Sequence, residues 1–133
     1  MAPRRVGLSV VLLSVLGGAA CVQPPLPNAA CPSPVAWQDA GQHVGQLVQV
    51  RGPVSAAQYL PDADGQPTIL DLGAAFPNQS RFSVIIWGRD RARFATPPEQ
   101  AYLNRVVCVT GVISTDYGSP GTEISSPTRV VVN

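Results

Sequence analysis

Beyond residue 46, apolar and polar positions alternate with a period of two, the signature of half-buried strands. In 47-LVQVRGPVSAA-57, Val48, Val50 and Val54 oppose Gln49, Arg51 and Ser55. Gly52 stands where another inward side chain would fall, so this strand is expected to bend strongly, with a bulge as one means of bending. The turn-rich 61-PDADGQP-67 leads to 67-PTILDLG-73, which sets Leu70 and Leu72 on one face. A third run, residues 81–87, opposes Phe82, Val84 and Ile86 to Ser83, Ile85 and Trp87. A fourth, 105-RVVCVTGVIST-115, points Val107, Val109 and Ile113 inward with Gly111 in the same row. The last run, 122-TEISSPTRVVV-132, contains Pro127, which marks it as broken or lying at an edge.

Two segments depart from this period. In 95-ATPPEQAYLN-104, Thr96 is a candidate N-cap, Pro97 takes the first helical position and Glu99 follows the cap by three residues, which predicts a short helix. Ahead of the first strand, Trp37, Ala40 and Val44 have approximate helical spacing, with Asp39 in the first turn. A second short helix is expected there, with Trp37 plugging one end of a barrel. The order is β-β-β-α-β-β, and the pattern contains neither repeats nor heptads.

The N-terminus changes the picture of where the domain works. Arg4 and Arg5 precede an apolar run from Val6 to Leu16, followed by Gly17-Gly18-Ala19-Ala20-Cys21. That layout is a secretory signal peptide over residues 1–20, with an apolar core shorter than the roughly twenty residues of a membrane-spanning helix. Gly-Ala-Ala-Cys resembles a bacterial lipoprotein box, although Gly18 stands where the box usually has Leu. Lipidation of Cys21 is the expectation, which makes the chain an exported, membrane-anchored lipoprotein facing the periplasm or the cell exterior. The alternative is a freely secreted domain. Residues 21–35 are Pro-rich and read as a flexible tether, and residues 36–133 as the folded domain.

Charge and cysteine usage narrow the function classes. The full chain has nine Arg, no Lys and eight acids, so removal of residues 1–20 leaves seven arginines against eight acids, a net charge of −1. This weakens a non-specific nucleic-acid reading, which relies on positive charge to release counterions. With Cys21 lipidated, Cys31 and Cys108 remain to form a disulfide in an oxidising compartment; the alternative for Cys108 is a small buried apolar residue. There is no Cys-x-x-Cys, and His43 is the single histidine, so no metal and no cofactor are expected. Neither a hydrolase triad nor a thiol nucleophile is in view, and Asp62 and Asp64 read as turn residues. The domain is expected to be a non-enzyme.

The pattern Trp37, Ala40, Gly45, Val48, Val50, Gly52 and Val54, with the block ending in Trp87 and the row Val107, Val109 and Gly111, resembles small bacterial OB-fold domains, several of them exported or lipid-anchored. That resemblance implies an all-β fold: a five-stranded Greek-key barrel with one short helix between strands three and four and another at the N-terminus. Ligands of such barrels bind the outer face of strands two and three, between the loops joining strands one to two and four to five. Mapped onto that face, the candidate ligand-binding residues are Arg51, Tyr59, Asp71, Ile85, Trp87 and Tyr117, alongside Gln49, Ile69 and Ser83. Arginine for phosphate and aromatics for stacking suit single-stranded nucleic acid. An oligosaccharide or an envelope protein fits the same residues, and a protein-interaction or scaffold lipoprotein with no nucleic-acid ligand is the competing reading.

Overall fold

The computed structural model describes residues 30–133 and, ahead of them, Pro3 and Gly7. The expected signal peptide, Cys21 and most of the tether lie outside the described residues. Seven strands form one sheet: β1 (Val35–Ala36), β2 (Leu47–Tyr59), β3 (Thr68–Leu72), β4 (Phe82–Ile86), β5 (Val106–Val112), β6 (Gly121–Glu123) and β7 (Val130–Val132).

The long strand β2 organises the rest. Its first half pairs antiparallel with β5, from Leu47↔Val112 to Pro53↔Val106, and its second half pairs antiparallel with β3, from Val54↔Leu72 to Tyr59↔Thr68. Between Val54 and Ala56 the register slips, the bulge expected of a strand that must turn from one partner to the other. From β3 the sheet continues through antiparallel β4 to parallel β6. An antiparallel bridge between Ser114 and Gly121 joins the end of β5 to the start of β6 and closes the ring. The circuit β2-β3-β4-β6-β5-β2, with a helix between β4 and β5, is the OB-fold barrel.

Two strands supplement the expected five. β1 pairs parallel with β2 through Val35↔Val50, along the edge that β3 leaves free. β7 pairs antiparallel with β5 through Val109↔Val130. Pro127 breaks the last run as expected: a 3-10 turn, Pro127–Arg129, redirects the chain onto β5, and the Ser126 hydroxyl accepts from the Thr128 amide at 3.3 Å.

The inward rows read from the sequence form the core. Val50, Val54, Leu70, Leu72, Phe82, Val84, Ile86, Val107, Val109 and Ile113 are all buried. The helices need correction. The segment at Trp37–His43 is a 3-10 helix that buries Ala40, while Val44 beyond it is exposed. Trp37 is half-buried, and its ring lies across Gly52 and Gly73; a Cβ at Gly73 would come within 2.1 Å of it, and Gly73 has a φ of +80°. Between β4 and β5 the chain makes one turn, α1 (Gly88–Arg91), before α2 (Pro98–Tyr102). The N-cap of α2 is Pro97, with no side-chain cap, rather than Thr96. A capping box fails because Arg91 holds the Glu99 carboxylate in two hydrogen bonds of 2.6 Å.

Cys31 and Cys108 are joined in a disulfide with their Cα atoms 6.2 Å apart, and both are buried. Because Val107 and Val109 point inward, Cys108 points out of β5 and receives the N-terminal arm. Gln49 supports that arm by donating to the Ala30 carbonyl at 2.8 Å. Packing against the barrel therefore begins at Cys31, ahead of the boundary expected at residue 36. The bond closes a loop spanning 77 positions, so Cys31→Ser should lower the unfolding free energy by about 4 kcal/mol in the chain-entropy picture. Urea titration of the oxidised protein and the variant measures this; equal midpoints would remove the bond as a stabilising staple.

Candidate functional site

The outer row of the β3–β4 hairpin carries Ile69 opposite Ile85 and Asp71 opposite Ser83. These four side chains floor a groove of about 530 Å³. Ala56 and Gln58 of β2, in register with Asp71 and Ile69 of the outer row, line one side, and the small side chain of Ala56 leaves the space open, while Ala57, in register with Leu70, turns to the core. Leu60, at the start of the β2–β3 connection, borders it, while Phe76 and Tyr117 come in from the β3–β4 and β5–β6 loops. Phe76 is 73% exposed, a large apolar ring presented at the rim.

A buried polar network lies under the groove. Asp71 Oδ1 accepts from the Ser83 hydroxyl at 2.8 Å and faces Arg81 Nε at 3.6 Å, while Oδ2 accepts from the Phe76 amide at 3.3 Å. Arg81 Nη1 donates to the Asn78 carbonyl at 2.8 Å, and its guanidinium lies 5.0 Å from the centre of the Phe76 ring. Ser83 also meets the Ser119 hydroxyl at 3.2 Å. The Asp71–Arg81 pair thus fastens the β3–β4 loop to the floor, and removing either partner would leave a buried charge uncompensated. Among the described residues no fully buried side-chain nitrogen or oxygen lacks a hydrogen-bond partner. With its polar atoms committed internally, the floor can grip a ligand mainly through apolar contact and shape.

Of the residues expected on this face, the structure brings Asp71, Ile85 and Tyr117 together, with Ile69 and Ser83. Trp87 stands behind the groove: its ring meets that of Tyr117 edge-on at 6.4 Å and covers Gly65. Tyr59 is occupied by Arg91, whose guanidinium lies 3.7 Å from its ring centre and also donates to Thr68 Oγ1 at 2.8 Å. Arg51 lines a separate groove with Trp37 and Val106. The bend of β2 separates them, because residues ahead of Val54 belong to the β5 side of the barrel. Arg51 and Trp87 therefore do not form one site.

The arginine-rich 89-RDRAR-93 is committed to structure in the same way. Arg89 and Arg93 flank the buried Asp90 at 3.7 and 3.3 Å, Arg93 also donates to the Ser125 carbonyl, and Arg91 pairs with Glu99. Sequence reasoning missed Phe76, Arg81, Gln58 and Ala56. A large aromatic within the small and polar loop 73-GAAFPNQS-80 was the available signal for Phe76; nothing local marks an alanine as the wall of a groove.

The Tyr117 hydroxyl donates to the Glu123 carboxylate. Burial first, then that hydrogen bond and the negative charges of Glu123 and Asp116, push its pKa up to about 12. Because the folded value lies above the ordinary phenol value of about 10, the contribution to stability is complete below pH ~10 and is lost as pH rises through the folded value. Ultraviolet phenolate titration, with Tyr117→Phe identifying the transition, should show this late ionisation. Glu123→Gln should move it downward while burial keeps it above an exposed phenol; an unchanged transition would remove Glu123 as a cause.

No family model matches the chain, and no curated protein matches it. Among solved structures it is similar to an asparaginyl-tRNA synthetase from Pyrococcus horikoshii, at 13% identity and a TM-score of 0.49, over 74% of this chain and 22% of that one. It is also similar to a protein described as an aspartyl-tRNA synthetase from Leishmania major Friedlin, at 9% identity and a TM-score of 0.46, over 75% of this chain and 20% of that one. The chain spans about a fifth of the length of each.

Proposed function

We propose that this chain is a non-catalytic binding module of the bacterial cell envelope, anchored through lipid on Cys21, and that the β3–β4 groove receives a segment of a partner protein. The observation that carries this reading is the groove itself: an apolar trough on the ligand-binding face of an OB-type barrel. Its one guanidinium, Arg81, is buried and paired with Asp71. A phosphate backbone would find no free cation among the lining residues, whereas an apolar side chain would find Ile69, Leu60, Ala56 and the exposed ring of Phe76.

A second reading has its own support. Phe76 and Tyr117, with Trp87 behind, offer rings on which bases of a single strand could stack, each worth about 1 to 3 kcal/mol; sugar rings of an oligosaccharide would use the same faces. A photo-crosslinker at position 76 in living cells should trap one discrete protein adduct that an equivalent group at position 51 does not. A diffuse ladder from both positions would count against a protein segment. Oligothymidylate binding that declines with salt and with Tyr117→Ala would instead favour the nucleic-acid reading.

The anchor has a separate test. Cys21→Ser should move the protein from the membrane fraction to the soluble fraction and abolish fatty-acid labelling; retention in the membrane fraction would overturn lipidation.

A further inference from the structure

We infer that the segment received by the β3–β4 groove is cationic: an extended stretch with Lys or Arg on either side of an aromatic or branched apolar residue. This rests on the groove being the ligand site. The groove sets the apolar part, and the charges on the connections that adjoin it set the rest. The β2–β3 connection, residues 60–67, carries Asp62 and Asp64 and no Arg or Lys; the β5–β6 connection, residues 113–120, carries Asp116 and no Arg or Lys. Both connections reach the groove, through Leu60 and through Tyr117. Glu123, next to them on β6, pairs in register with Ile85 of the floor. All four acids are exposed, and none is in an ion pair among the described residues.

The cations are distributed the other way. Arg81 and Arg91 pair with Asp71 and Glu99, while Arg89 and Arg93, 75% and 60% exposed, share the one carboxylate of Asp90. Arg51, Arg105 and Arg129, without ion pairs among the described residues, lie on or beside the first half of β2, β5 and β7, away from the groove. A net charge near neutrality thus conceals an acidic groove mouth, and an acidic cleft with low-dielectric walls favours a positively charged partner. Phe76 adds a specific feature. One face of its ring already meets the Arg81 guanidinium at 5.0 Å, and the residue is otherwise 73% exposed. A cationic side chain from the partner can meet the same ring from the open side. The same rim repels polyphosphates, which separates this ligand from a single-stranded nucleic acid.

Three capped peptides on one scaffold, Lys-Leu-Lys-Phe-Lys, Gln-Leu-Gln-Phe-Gln and Glu-Leu-Glu-Phe-Glu, test the inference, with oligothymidylate as a fourth probe. Binding is followed by amide chemical shifts of Phe76 and Tyr117 in the folded protein. The lysine peptide should bind about tenfold more tightly than the glutamine peptide, the expected sum of several weak exposed ion pairs, with the advantage shrinking as salt rises. Asp62→Asn, Asp64→Asn and Asp116→Asn together should remove most of that advantage without lowering glutamine-peptide affinity; Phe76→Ala should weaken both. Equal affinity for all three peptides, or a preference for the glutamate peptide or oligothymidylate, would overturn the cationic assignment while the groove remains a binding site. No shift at Phe76 or Tyr117 with any probe would overturn the assignment and the groove reading together.

Discussion

Everything in this barrel depends on one strand having two partners. β2 hydrogen-bonds to β5 over its first half and to β3 over its second, and the register slip between Val54 and Ala56 is where it changes allegiance. Closure of a small sheet demands such a bend, because its strands must coil to satisfy both neighbours. The bend decides which residues share a surface: Gln49 and Arg51 lie on the β5 side, Ala56 and Ala57 on the β3 side. It also frees the edge along which β1 lies and exposes Gly52 to Trp37, so the N-terminal arm docks where the strand turns away.

The groove is a consequence of the same geometry, shaped by two choices of side chain. Ala56, just past the bulge, leaves a trough between β2 and the β3–β4 hairpin, and the Asp71–Arg81 pair holds the loop bearing Phe76 at its margin. A buried ion pair is weak evidence for net stability, since desolvation offsets much of the attraction. Here it has a positional consequence instead: it joins the end of β3 to the start of β4 and directs the aromatic rim. Satisfied polar groups below and an aromatic lip above leave a groove whose open surface is chiefly apolar.

Charge is segregated with little excess. The arginines nearest in sequence to Trp87 are absorbed by Asp90 and Glu99, and Arg91 also covers Tyr59, so two features that suggest a nucleic-acid surface in the linear chain turn out to hold α1, α2 and β2 together. On the connections beside the groove, Asp62, Asp64 and Asp116 are exposed and in no ion pair among the described residues. The clustering of arginine was a real signal of electrostatics, but of internal pairing rather than of ligand chemistry.

Much of the fold was legible in the sequence because strand period and core burial are local properties. The rows Val50 and Val54, Leu70 and Leu72, Phe82 to Ile86, and Val107 to Ile113 follow from alternation alone, and the bend expected around Gly52 appears as the register slip between Val54 and Ala56. Partnership was not legible. Glu99 could have closed a capping box at Thr96; it lost to Arg91, a residue brought near only by the folded connection. Arg51 and Trp87 alternate on the same nominal outer face, yet the bend places them apart, while Phe76 and Tyr117, forty-one positions apart in the chain, come to one groove. Alternation determines which side of a strand a residue occupies, and so the sequence by itself determined the strands and their buried rows, while the barrel was implied by the resemblance to OB-fold domains. Which loops meet, which charges are consumed and which remain open to a ligand were decided by the tertiary structure, because those depend on distances that only closure of the barrel sets.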